Sequence, residues 1–323
     1  MLKWVFLISV WLTLGCVLCW HALRARKVTK LGRAMVEAGL APLEWVPFIR
    51  VDNMPSCGVL FVRSFLVGPA SFILAFSTVG LSCLSSAILP TGLMVDLVAL
   101  VSRGVCCAFG IRIVERGLRA SVLEAPCIVA NHNSAMDIFI LLCKRCSFVS
   151  MDAVQHLPLV GRIAKAIGCI FVVRDSAASR AETKLAIAKR FASNVCKCQL
   201  VVFPEGSTTN GESLLQFRRG AFEACVPIQP VFIEFADFNL NFTIVSLLQL
   251  CSLACVLPAR EVTLHWLPVV PVSPEITPDQ MAERVRDAIA ATPSAYGRPS
   301  LRKVEGVSHR NAVAASEHLL GQL

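Results

Sequence analysis

Residues 4 to 20, "WVFLISVWLTLGCVLCW", carry no charge and fall slightly short of the ~20 residues that a perpendicular membrane span needs. Arg24, Arg26, Lys27, Lys30 and Arg33 follow, against Lys3 in front. The positive-inside rule then puts the chain after residue 20 in the cytosol and the N-terminus in the lumen. A cleaved signal peptide is the competing reading, but a small-residue cleavage pattern is poorly developed and charge follows at once.

A second uncharged run reaches from Ser64 to Val95 and is broken at Gly68-Pro69 and at Pro90. It is roughly 10 residues longer than one span requires, which fits a tilted span or a hairpin that enters and returns. Two full spans would put the rest of the chain in the lumen, so a cytosolic substrate favours the hairpin or re-entrant form.

From about residue 111 the pattern changes to short apolar runs alternating with longer helical ones, the appearance of an α/β domain. Strands are predicted at "PCIVA", "CSFVSM", "CIFVV", "QLVVF", "IQPVFIEF" and "EVTLHWLPVV". Helices are predicted at roughly 134–145, 158–167, 178–197 and 278–291, the third from Leu185, Ala188 and Ala192 at helical spacing. The apolar run 242–257 is of a length more often buried or interfacial than spanning, and reads as membrane-facing or core. Asn241-Phe242-Thr243 is a glycosylation sequon that a cytosolic surface would leave unused.

The expected organisation is therefore an anchor and basic juxtamembrane segment over 1–57, a membrane hairpin or re-entrant segment over 58–110, a domain over 111–296, and a polar tail over 297–323. "GRPS" marks the end of the folded part. The fold class is α/β, a mixed sheet flanked by helices and preceded by N-terminal membrane helices.

Composition narrows the partners. With 55% hydrophobic and 16% charged residues, and a mean hydropathy of +0.64, the chain is more apolar than an ordinary soluble protein. Its net charge of +9 suits anionic lipid or phosphorylated substrates, whereas scattered Lys and Arg amid apolar runs do not make a nucleic-acid patch. The 15 cysteines sit mostly among Leu, Val and Ala and read as free thiols. Cys143 and Cys146 form one C-x-x-C; a zinc site with Cys196 and Cys198 is the less favoured reading, so no metal is expected.

The chemistry concentrates in "VANHNSAMDIF". "CIVA" reads as a strand, and "SAMDIFILLCKR" as a helix opening with the S-x-x-D form of a capping box, Ser134 at the N-cap and Asp137 three residues on. A first-turn carboxylate stabilises a helix without any chemistry, by about 0.3–1 kcal/mol. His132 adds a second role. If Asp137 accepts the proton on one ring nitrogen, the other keeps the lone pair that takes a proton from a hydroxyl. Farther on, "QLVVFPEGSTTNGE" puts Glu205 and Gly206 after another strand, in a hydroxyl-rich turn able to direct backbone N–H groups at phosphate; an ordinary strand exit is as good a reading on spacing alone. Arg174 ends "CIFVVR" at the lip of a third strand. Polar groups at three strand ends mark the edge where ligands of α/β sheets bind. No G-x-S-x-G elbow, Walker loop or H-E-x-x-H is present.

At these residues the sequence resembles the membrane-bound glycerolipid acyltransferases. "NHNSAMD" matches their N-H-x-x-x-x-D motif; "GCIFVVRDS", "FPEGSTTNG" with "LLQFRRGAF", and "VPIQPVF" look like the later three. Four blocks in order over 125–235 are a strong match, and "FPEG-x-TTNG", "FRRGAF" and "VPIQPV" look most like the lysophosphatidylcholine and related lysophospholipid branch. The resemblance implies an acyltransferase domain at 111–296, with His132 as general base and Asp137 as its partner. It implies acceptor binding by Asn131, Arg174, Glu205, Gly206, Ser207 and Arg218. Acyl-CoA would be the co-substrate, a lysophospholipid the acceptor and membrane lipids the surroundings, with no cofactor and no nucleic acid. The endoplasmic reticulum is the expected membrane. Ser207 stands where the family usually has Thr, keeping the hydroxyl; Arg218 stands where it usually has Lys, keeping charge but not shape. No EF-hand loop follows in the tail. A phosphatidate-forming sister enzyme and a catalytically silent lipid-binding protein of the same fold are the alternatives.

Overall fold

The computed structural model describes residues 2–49, 54–85, 90–157, 160–172, 185–191, 198–237, 247–273 and 275–322. Anchor and basic segment form one continuous helix, α1 (Leu2–Glu37). The second apolar run divides where its breakers stand. Helix α2 (Cys57–Leu66) gives way to α3 (Gly68–Ser85) with a 56° bend at Gly68, and Pro90 caps α4 (Thr91–Ala108). By length and composition α1 is long and apolar enough to cross a membrane, and the bent pair passes the same test as a broken span or re-entrant loop.

Strands β1 (Ile111–Arg116), β2 (Cys127–Ala130), β3 (Ser147–Met151), β4 (Ile170–Val172), β5 (Leu200–Val202), β7 (Ile228–Phe235) and β8 (Arg260–Trp266) form one sheet in the order β1-β8-β7-β2-β5-β3-β4. Among the described strands every pairing in this sheet is parallel except that of β7 with β8, so β8 and β1 run opposite to the rest. The parallel centre is covered on both faces, which is why "CIVA" is buried at every position. Successive side chains go to opposite faces. Ile128 and Ala130 join the core made with α1, α4, helix α5 (Met136–Leu142) and helix α8 (Leu247–Val256), whereas Cys127 and Val129 join Met281, Val285 and Ile289 of helix α9 (Pro278–Ala290). Strand β1 hugs β8 so closely after Arg116 that a Cβ on Gly117 would lie 2.2 Å from the Trp266 carbonyl oxygen; its φ of +81° is open only to glycine at no cost.

Several expectations change. Helix α5 starts at Met136 and ends at Leu142, shorter than 134–145, because Ser134 turns its N–H to the Asp137 carboxylate before the helical path begins. Helix α6 (Val160–Ala166) falls inside 158–167; of 178–197 only residues 185–191, α7, are described, and they are helical. The sequon at 241–243 lies outside the described residues. Run 242–257 contributes α8, whose Leu250, Leu253, Ala254 and Val256 are core, and Arg63 donates to the carbonyls of Val256 and Leu257 at its C-terminal end. Burial also pushes the thiols of Cys127 and Cys146 up to about 12, which keeps them protonated at neutral pH.

The tail is the largest correction. Residues 302–304 form β9 (Arg302–Val304), paired in parallel with β6 (Ser213–Leu215), and α10 (His309–Gly321) buries Ala312, Ala315 and Leu319 against Val28, Phe48, Ile49 and Leu215. Fully buried Arg286 stitches the two strands, donating to the carbonyls of Leu214 at 3.0 Å and Val304 at 2.9 Å. "GRPS" is a bend within the fold, not its end.

Candidate active site

Strand β2 leaves the sheet at Asn131, whose carboxamide continues the ladder in place of the backbone. Its Oδ1 accepts the Ile233 N–H at 2.7 Å and its Nδ2 donates to the Ile233 carbonyl at 3.0 Å. Asn133 adds a second donor to that carbonyl at 2.9 Å. Between them the main chain of His132 is held from two other segments. Its N–H donates to Glu205 Oε1 at 2.7 Å and its carbonyl accepts the Thr209 N–H at 2.9 Å.

The His132 ring stacks on Phe203, with centroids 4.1 Å apart and planes 15° from parallel, and its Nδ1 lies 2.9 Å from Asp137 Oδ2. The same oxygen accepts the N–H groups of Asn133 at 2.7 Å and Ser134 at 2.8 Å, while Ser134 Oγ accepts the Met136 N–H at 3.2 Å. One carboxylate oxygen thus orients the ring and holds the turn before α5; the expected capping box does not form, since the N-cap is Ala135, not Ser134, and Ala135 offers no side-chain cap. Asp137 is fully buried, and its Oδ1 has no hydrogen-bond partner among the described residues. The His132 side chain is 17% exposed, and its Nε2 has no protein partner among them.

Glu205 lies after β5 and spends both oxygens on backbone, accepting the Leu215 N–H at 2.9 Å with Oε2. Burial pushes its carboxyl up to about 8, against the pull of its two N–H donors. Gly206 follows with φ +72°, and a Cβ there would sit 2.8 Å from Cζ of Arg218. The guanidinium therefore lies flat on the glycine, and among the described residues no carboxylate pairs with it. Ser207 Oγ is 3.2 Å from Nδ1 of His309, at the start of α10.

His132, Asp137, Asn131, Glu205, Gly206, Ser207 and Arg218 are thus brought together at one edge of the sheet. Asn131 and Glu205 differ from the sequence expectation of ligand contact: their polar atoms are consumed in holding the His132 loop. Arg174 lies outside the described residues, as does Cys196 of the zinc alternative. His309 was missed. The Ser308 to Asn311 spacing and the small residues Ala312 and Ala315 signal a helix, but nothing local directs its first residue to Ser207. A second histidine–carboxylate pair, His265 Nε2 to Glu234 Oε2 at 3.0 Å, is closed off at 8% and 5% exposure and pins the Ala295 loop.

With this geometry in hand, the comparisons place the centre of the chain. Residues 115–234 match the family model described as Acyltransferase. Lysophosphatidylcholine acyltransferase 2 of Rattus norvegicus is 33% identical over 198 residues, 59% of this chain and 36% of that protein. Lysophospholipid acyltransferase LPCAT4 of Homo sapiens is 35% identical over 176 residues, 52% and 33%. The chain thus spans about a third of the length of these curated relatives. Among solved structures, the 1-acyl-sn-glycerophosphate (LPA) acyltransferase PlsC of Thermotoga maritima aligns with a TM-score of 0.49 at 16% identity, covering 72% of this chain and 91% of that one.

Proposed function

We propose that the protein is an acyl-CoA-dependent O-acyltransferase that moves a fatty acyl chain onto the free hydroxyl of a lysophospholipid, with lysophosphatidylcholine-type acceptors favoured. The observation that carries this reading is His132 Nδ1 at 2.9 Å from a buried Asp137 oxygen, in a ring that is partly exposed and whose Nε2 has no partner among the described residues. Asp137 fixes the tautomer, so Nε2 takes the acceptor hydroxyl proton as that oxygen attacks the thioester carbonyl. The carbon–sulfur bond breaks and CoA leaves as a thiolate, a good leaving group. The chemistry calls for no metal or organic cofactor.

Arg218 and the Gly206–Ser207 turn face the acceptor's phosphate. The apolar N-terminal helices supply a bilayer-side path for the acyl chain, and the basic residues after residue 20 favour a cytosolic site, on the endoplasmic reticulum by analogy with the chemistry. The test is free CoA released from one acyl-CoA across a panel of lyso-acceptors. Release with lysophosphatidylcholine supports the reading. Preference for lysophosphatidate shifts it to the phosphatidate-forming reaction, and no release with any acceptor leaves a lipid-binding protein.

A further inference from the structure

Two of the cysteines that the sequence presents as free thiols meet in the seam between α4 and α5. We propose that Cys106 of α4 and Cys143 at the end of α5 are a redox modification site, which hydrogen peroxide closes to a disulfide that shifts Asp137 against His132. The cross-link stands apart from the acyltransferase reading; its effect on turnover rests on that reading.

The two sulfurs lie 3.9 Å apart, at 3% and 2% exposure, and among the described residues no other two cysteines share such a contact. The hydrogen bond with Cys106 holds the Cys143 thiol below its ordinary value, against burial and with help from Lys144 and Arg103, and a thiol drawn toward thiolate is the one that attacks a peroxide. The Cys143 sulfur takes one peroxide oxygen, the O–O bond breaks, and the departing hydroxide leaves as water with the thiol's proton. The Cys106 sulfur then attacks the resulting sulfenic acid, the S–O bond breaks and a second water leaves. Two thiols are oxidised to one disulfide, and the peroxide is reduced to two waters. Hydrogen peroxide is close to water in size, which suits a seam this tightly closed.

The seam lies one short helix away from the histidine. Asp137 is in the first turn of α5 and Cys143 is its C-cap. On the other side, Cys106 and Val105 of α4 share one buried core with Met136, Ile140 and Leu141, and Arg145 pairs with Asp96 of α4. A disulfide needs its sulfurs about 2.05 Å apart, so closure draws the two helices together at Cys143. That pull travels along α5 to Asp137, whose oxygen sets the His132 ring at 2.9 Å. A displacement of about 1 Å at such a contact costs about 10²-fold in rate. Thiols reverse the bond, as expected of a disulfide on a reducing, cytosolic face.

The experiment treats the full-length protein with hydrogen peroxide, maps its cross-linked peptides by mass spectrometry without reduction, and measures single-turnover acyl transfer before oxidation, after it, and after dithiothreitol. The expected result is a Cys106–Cys143 cross-link, turnover lowered about 10²-fold, and recovery on reduction. Cys106→Ala and Cys143→Ala, each made alone, are expected to turn over like the reduced wild type and to keep most of that turnover in peroxide. The wild-type peptide map decides the cross-link without any variant. No bond between these two cysteines, a bond that leaves turnover unchanged, or the same loss in both variants overturns the inference. A cross-link in a protein that shows no turnover even when reduced upholds the redox site and defeats the acyltransferase reading instead.

Discussion

Glu205 holds the main chain of His132, not its ring: the carboxylate accepts the His132 N–H at 2.7 Å while its other oxygen accepts the Leu215 N–H at 2.9 Å. His132 is therefore fixed twice, by Glu205 through its backbone and by Asp137 through Nδ1. Each support has its own measurable consequence.

Replacing His132 by Ala removes the proposed proton acceptor and nothing that holds the sheet. The expected result is a loss of about 10²–10⁴-fold in turnover with the thermal midpoint near that of the wild type. Single-turnover acyl transfer and a melting curve on the same preparation check it. A drop in both together would make His132 a folding residue.

Glu205 gives a pH signature. Its folded pKa of about 8 lies above the ordinary carboxyl value of 4.5, so the folded state holds a proton that the unfolded chain has lost. Its contribution to stability is complete below about 4.5 and declines as pH rises through 8, the reverse of an ion-paired carboxylate. Glu205→Gln, which cannot titrate, should flatten the fall in melting temperature between those values while lowering stability overall, since its amide donor opposes one of the two N–H groups. An unchanged slope contradicts this assignment.

Gly206→Ala puts a Cβ 2.8 Å from the Arg218 guanidinium carbon at φ +72°. Backbone strain alone costs about 1–3 kcal/mol, and the displaced guanidinium should weaken acceptor binding more than donor binding. Chemical denaturation and separate KM values for the two substrates read the two effects.

The tail supplies a stability prediction. Leu319 is fully buried among Val28, Phe48 and Leu215, so Leu319→Ala should cost about 2–5 kcal/mol. Removing residues 297–323 should be worse, by stripping β9 from β6 and its carbonyl partner from Arg286. A truncated protein as stable as the full chain would contradict the packing described here.

What the sequence made legible follows from distance along the chain. His132 and Asp137 lie five residues apart, so one strand-to-helix turn determines whether they meet, and the N-H-x-x-x-x-D spacing carries that information. The duties of Asn131 and Glu205 depend on Ile233 and Leu215, brought in by sheet pairing that no local pattern encodes. Strands "IRIVER" and "RKV" were hidden because charge interrupts their apolar alternation, and each is an edge strand that tolerates it. Helix α8 is apolar all round, a pattern shared by core and membrane helices, so only its packing on α1 and α3 decides. In α10 the buried face is built mainly of alanines, too small to stand out against a polar background.

The most direct test of the central claim is the turnover of Asp137→Asn. An asparagine that keeps its carbonyl oxygen at the Oδ2 position still accepts from Asn133 and Ser134, and its amide takes the place of the unpartnered Oδ1. The turn before α5 keeps its acceptor and the charge is lost. The expected result is a melting temperature close to wild type with kcat reduced about 10²–10⁴-fold. Wild-type kcat in a folded Asp137→Asn protein would show that the carboxylate serves the helix alone, and that His132 does not act as a base steered by it.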